Sequence, residues 1–166
     1  MTKILCIEDE AALREDIVEE LGDAGYHVIE AANGREGYDA LVAHQPDLVL
    51  CDVNMPDMNG HELLTKLREE HAEFDDIPFV FLSALADRKD IIAGKKLGAD
   101  DYLTKPVDFE MLLVTVESRL RQIVRITRHK EEQLVRLYRA LAETPDSRDG
   151  PSPSPDTDNS MTVVAV

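Results

Sequence analysis

Residues 47–60 read Asp47-Leu48-Val49-Leu50-Cys51-Asp52-Val53-Asn54-Met55-Pro56-Asp57-Met58-Asn59-Gly60. The run from Leu48 to Cys51 is apolar at every position, too short for a helix, and closed by a carboxylate and a proline-containing loop. Such a run suits a strand of a sheet covered on both faces. A helix-length amphipathic stretch, Gly60–Glu70, follows it. The same alternation extends in both directions. Strands are predicted at Ile4–Ile7, Tyr26–Ala31, Asp47–Cys51, Phe79–Leu82 and Asp101–Thr104, and helices at Ala11–Leu21, Gly34–His44, Gly60–Glu70 and Arg88–Leu97. Turn residues mark the joints, among them Asn33-Gly34, Gln45-Pro46 and Gly98. Strand and helix repeated five times predict a doubly wound, parallel α/β sheet.

Composition narrows the chemistry. The 166 residues are 43% hydrophobic with no Trp, so the core is aliphatic, and the formal net charge is −16. Residues 1–116 hold 10 Lys/Arg against 26 Asp/Glu, residues 117–143 hold 7 against 4, and residues 144–166 hold 1 against 4. So acidic a chain repels nucleic-acid phosphates and anionic membranes, which disfavours direct DNA binding. No apolar run reaches the roughly 20 residues that span a bilayer, and the first residues are too briefly apolar for a signal peptide. Cys6 and Cys51 each sit inside an apolar run. They read as core thiols of a cytoplasmic, reducing compartment, on neighbouring strands that could bring them close.

In an open parallel sheet, ligands bind outside the carboxyl ends of the strands. Those ends carry Glu8, Asp9 and Glu10 after the first strand, Asp52 after the third, Ser83 and Ala84 after the fourth, and Lys105-Pro106 after the fifth. Any one of these is an ordinary turn residue, cap or solvated side chain. Together they are a ligand set. Carboxylates Glu8, Asp9 and Asp52 held close repel one another unless a cation sits among them, and Mg²⁺ takes such carboxylates together with phosphate oxygens. Lys105 and Ser83 add a positive charge and a donor for phosphoryl oxygens. Asp52, ending the central strand, is then the nucleophile, and the backbone carbonyl of Asn54 is a further metal ligand.

Four motifs carry a family resemblance. They are Ile7-Glu8-Asp9-Glu10, Asp52 through Gly60, Leu82-Ser83-Ala84, and Leu97-Gly98-Ala99-Asp100-Asp101-Tyr102-Leu103-Thr104-Lys105-Pro106. Over residues 1–122 the chain resembles the CheY-like receiver domain of two-component response regulators. The resemblance implies strand order 2-1-3-4-5, Mg²⁺ held by Glu8, Asp9, Asp52 and the Asn54 carbonyl, and phosphorylation of Asp52 by a histidine kinase or phosphotransfer protein. It also implies Ser83 and Tyr102 as switch residues, Lys105 as the phosphate-pairing lysine, a cis Lys105–Pro106 bond, and Leu85 as a position tuning dephosphorylation. A double aspartate is commoner where Glu8-Asp9 stands, and threonine where Ser83 stands; both replacements keep the chemistry. The domain is expected to be a phosphoacceptor that assists its own phosphorylation and dephosphorylation rather than an enzyme. An aspartate-nucleophile phosphohydrolase is the opposing reading, weakened because Asn54 stands where such enzymes place a general acid. A phosphorelay intermediate, or a receiver fragment of a longer regulator, cannot be separated by sequence from a receiver that switches a dimerisation or docking surface.

The last part of the chain departs from the βα pattern. Asp108 reads as the N-cap of a fifth helix. From Phe109 to Leu141 the positions 109, 113, 116, 120, 123, 127, 130, 134, 137 and 141 step by four and three, and eight of the ten are apolar, with no Gly or Pro before Pro145. A coiled-coil extension over residues 123–144 is predicted, giving a homodimer through the C-terminal helix. The opposing reading is a second helix that folds back. Its Arg and Lys residues read as solvated flanks pairing with Glu117, Glu131, Glu132 and Glu143. His129 reads as a surface residue, with phosphotransfer as the bolder alternative. Residues 145–166, rich in Pro, Ser and Asp, read as a disordered tail.

Overall fold

A computed structural model of the chain describes residues 1–84 and 88–143. Leu85 and the 145–166 tail, both subjects of expectations above, lie outside the described residues. The elements run β1 (Lys3–Ile7), α1 (Ala11–Asp23), β2 (His27–Ala31), α2 (Gly34–His44), β3 (Leu48–Asp52), α3 (Gly60–Glu70), a 3-10 turn (Ala72–Phe74), β4 (Phe79–Ser83), α4 (Arg88–Leu97), β5 (Asp101–Thr104) and α5 (Phe109–Glu143). All strand pairs are parallel, in the order β2-β1-β3-β4-β5. The doubly wound sheet and the unbroken fifth helix are therefore both present. Strand limits differ from the sequence reading by a residue or so: Asp52 and Ser83 close their strands from inside.

The uninterrupted apolar runs have a simple cause. Odd and even positions of each strand serve two different cores. Leu5, Ile7, Val49, Cys51, Phe79 and Phe81 pack with Leu41 of α2 and Leu63, Leu64 and Leu67 of α3. Ile4, Cys6, Leu48, Leu50, Val80 and Leu82 pack on the other face with Ile17 and Leu21 of α1 and Leu112 and Val116 of α5. The register sets Cys51 opposite Ile7 and Cys6 opposite Leu50. The two thiols thus enter opposite cores, and both are free. Burial, first of all, pushes the Cys6 thiol up to about 12 and the Cys51 thiol well above its ordinary value, so neither is a reactive thiolate.

Helix starts follow local chemistry. The Asn59 side chain accepts from the Glu62 N–H and donates to the Glu62 carboxylate, both at 2.8 Å. At the start of α2 the Asn33 side chain accepts from the Glu36 N–H at 2.9 Å, while the Glu36 carboxylate reaches back to accept from the Ala32 N–H at 2.8 Å. Such boxes satisfy backbone groups that the first turn leaves open. Asp108 caps α5 as the sequence suggests, accepting from the Met111 N–H at 3.1 Å.

The chain divides into two compact units, Met1–Thr127 and Arg128–Val166. The described part of the second unit, residues 128–143, is the remainder of α5 and is exposed throughout. Among the described residues, no helix is long and apolar enough to cross a membrane.

Candidate phosphoacceptor site

β1 and β3 are neighbours at the centre of the sheet, and β4 lies beside β3. Their carboxyl ends deliver Glu8, Asp52 and Ser83, at 0%, 3% and 4% exposure. Burying polar groups is costly unless they are paired. Here the pairing comes from the loop after β5. The Lys105 ammonium lies 3.0 Å from Glu8 Oε2, 3.1 Å from Glu8 Oε1 and 3.1 Å from Asp52 Oδ2. The Lys105–Pro106 peptide bond is cis.

Each carboxylate has further backbone support. The Asn54 N–H donates to Asp52 Oδ1 at 3.1 Å, and the Glu10 N–H donates to Glu8 Oε1 at 3.2 Å. Arg14, on α1, holds the Glu8 carbonyl at 2.8 Å. The turn after Asp52 closes tightly, with the Gly60 N–H on the Val53 carbonyl at 2.9 Å. A Cβ at Gly60 would stand 2.6 Å from the Asp52 carbonyl oxygen and 2.8 Å from Phe81, so a side chain there would push the acceptor strand.

Charge is crowded in this pocket. Burial, supported by the Asp52 charge and opposed by Lys105, raises the Glu8 carboxyl to about 7. Burial also raises Asp52, helped by its hydrogen bond with Asp9 and opposed by Lys105 and the Asn54 N–H. Lys105 is raised overall, because bonds to Glu8 and Asp52 outweigh burial, which lowers it. Oxygens of Glu8, Asp9 and Asp52 lie within 4.8 Å of one another, with Asp9 exposed to solvent. Glu8 Oε2 is buried and receives no properly directed hydrogen bond, despite its nearness to Lys105. A buried orphan oxygen, an elevated carboxyl and an open acidic neighbour form a donor set that fits a hard divalent cation.

Tyr102, on β5, lies apart from the carboxylates. Its ring packs on Phe81 at 5.3 Å between centroids, and its hydroxyl meets His61 Nε2 at 2.9 Å. Room for that hydroxyl exists because residue 94 of α4 is glycine: a Cβ there would fall 1.3 Å from it. Sequence reading found Tyr102 but neither His61 nor Gly94, whose roles depend on packing between α3, α4 and β5. His129 is an exposed residue whose ring lies 3.1 Å from the Gln133 amide.

A family model described as the response regulator receiver domain matches residues 4–117. A probable transcriptional regulator, ycf27, of Porphyridium aerugineum is 40% identical over 121 residues, covering 73% of this chain and 49% of the relative. Response regulator ArlR of Staphylococcus aureus is 36% identical over 122 residues, covering 74% of this chain and 54% of the relative. The chain thus spans about half the length of these curated relatives. Among solved structures, chemotaxis response regulator CheY4 of Vibrio cholerae superposes with a TM-score of 0.68 at 33% identity, covering 72% of this chain and 98% of its own.

Proposed function

The chain belongs to the response regulator receiver domain family, and from that premise we propose that Asp52 accepts a phosphoryl group from a phosphohistidine of a histidine kinase or phosphotransfer protein. The observation that carries this reading is the Lys105 ammonium bridging buried Glu8 and Asp52 beside an open acidic neighbour. In the transfer, an Asp52 carboxylate oxygen bonds to phosphorus as the P–N bond breaks. The electron pair leaves with the imidazole, which takes up a proton. Lys105 moves from the carboxylates to phosphoryl oxygens, and the Ser83 hydroxyl donates to another. Glu8, Asp9, Asp52 and the Asn54 main-chain carbonyl would hold Mg²⁺, which neutralises charge on the phosphoryl oxygens when bound.

The readout we propose runs through Ser83 and Tyr102 to a protein-docking or dimerisation surface. Residues 1–122 form the phosphoacceptor domain, residues 123–144 a coiled-coil extension that pairs two copies, and residues 145–166 a tail. Two buried free thiols support a reducing, cytoplasmic setting. Helix cations already engaged, Arg121 with Glu117 and Arg128 with Glu132, support a solvated flank rather than a DNA contact. Incubation with a small phosphodonor and Mg²⁺, read by intact mass, should add one phosphoryl group. Asp52→Asn or chelation of the metal should abolish it, and retained phosphorylation in Asp52→Asn would refute the acceptor assignment.

A further inference from the structure

Apart from half-buried Ile123, every residue of α5 from Arg121 to Glu143 is exposed, including apolar Val124, Leu134, Leu137, Tyr138 and Leu141. In the heptad frame Thr127, Leu134 and Leu141 take position a, while Ile123, Lys130 and Leu137 take position d. The stripe is therefore interrupted in its middle by one hydroxyl and one ammonium, and those two residues decide how a second copy can lie on it.

A parallel, in-register pair would stack Thr127 on Thr127 and Lys130 on Lys130, confining two like charges in one core layer. Its flanking positions would set Ile126 beside Glu131 and Gln133 beside Tyr138, with no opposite charges in either pair. It would also carry two receivers to the same end, each with the 26 acidic and 10 basic residues of positions 1–116. Reversing one copy removes the first and the third of these conflicts. With a twofold axis at residue 132, Ile123 faces Leu141, Thr127 faces Leu137 and Lys130 faces Leu134 of the second copy. Val124 then flanks Tyr138, and Ile126 flanks Ala140. At the axis Glu131 lies beside Glu131 of the second copy, and the two Lys130 ammonium groups next to them balance that pair. Sliding the copies by one heptad either requires Leu120, which packs against the receiver core, or leaves Ile123 without a facing residue.

We infer that α5 pairs antiparallel with a second copy of the chain, about a twofold axis at residue 132, with Lys130 selecting the orientation. This rests on the homodimer reading above and specifies its geometry. Two single-cysteine variants of the full chain test it, Thr127→Cys and Leu137→Cys, oxidised alone and after mixing, one of them carrying a mass tag. The native thiols, both fully buried, stay silent. In the antiparallel pair the identical positions lie ten residues apart along the axis, about 15 Å, well beyond the roughly 7 Å that a disulfide can bridge. The mixture should yield a covalent heterodimer, and neither variant alone should crosslink. Crosslinking of each variant alone would overturn the orientation while leaving the dimer standing. A monomer mass by sedimentation for the wild type would overturn both. Spin labels at Arg139, on the outer face, give a check that leaves the seam untouched. The antiparallel pair offsets them by 14 residues, about 21 Å along the axis, and the parallel pair by none.

Discussion

Replacing Gly94 by alanine should destabilise the receiver when Tyr102 is present and stabilise it when Tyr102 is absent. The new Cβ would stand 1.3 Å from the Tyr102 hydroxyl oxygen and 2.5 Å from Cζ. An unstrained contact lies near 3.5 Å, so the hydroxyl must retreat by about 2 Å. A rigid ring anchored on Phe81 can do this only by swinging out. It then loses the bond to His61, about 1 kcal/mol, and its ring contact with Phe81, about 0.5–1.5 kcal/mol. Re-exposure of part of the ring adds about 1 kcal/mol. Against this, alanine within a helix gains up to about 1 kcal/mol over glycine. The net loss is about 1.5–3.5 kcal/mol with Tyr102 in place. In a Tyr102→Ala background only the helix term survives, and the same substitution gains up to about 1 kcal/mol. Urea denaturation of the four proteins completes the double-mutant cycle, and phosphorylation of Asp52 reports that each remains folded. Equal effects of Gly94→Ala in the two backgrounds would refute the claim that this glycine exists to seat the tyrosine.

Three further outcomes follow from the site and its supports. Lys105→Met leaves buried Glu8 and Asp52 without their shared cation; it should cost about 3 kcal/mol at pH 8, less at pH 5, and abolish phosphorylation, all read by denaturation and intact mass. The Glu8 carboxyl sits near 7 when folded and 4.5 when unfolded. The metal-free folded protein therefore holds a proton across that window which the unfolded chain has released, so stability falls as pH rises from about 4.5 through 7. Glu8→Gln should flatten that slope relative to wild type, and an unchanged slope would remove Glu8 as its source. Asn59→Ala, which opens the reciprocal box with Glu62 at the start of α3, should cost about 1 kcal/mol in the same assay without changing phosphate acceptance.

Much of this molecule is legible before any coordinates, and the reason lies in how its strands are buried. Leu48 to Cys51 had to be apolar at every position because alternate side chains serve separate cores. Asn59 and Asp108 announce helix starts because their side chains do local work within three residues. The facing of Cys6 and Cys51 was not legible. Parity sends residues of one strand to alternate faces, but only the register between two strands says which face each thiol enters, and here the offset of one residue separates them. The His61–Tyr102–Gly94 contact was likewise hidden. His61 and Tyr102 are 41 residues apart, and neither a helix-opening histidine nor a mid-helix glycine carries a local signature.

The site itself lies between these cases. Among the described residues the buried polar side chains are Glu8, Asp52, Ser83 and Thr115. Three of the four stand at the carboxyl ends of β1, β3 and β4, which are consecutive in the sheet although not in the chain. In a sheet with both faces closed, a strand's end is where a charge can be reached from solvent without crossing either core. Three such groups on adjacent ends, two of them sharing one ammonium, cost stability that packing alone would never require. Glu8 bears that cost most visibly: it is fully buried, raised to about 7, and retains an oxygen without a directed partner. That unmet demand argues that the strand ends are arranged for a bound cation and an incoming anion rather than for the stability of the domain by itself.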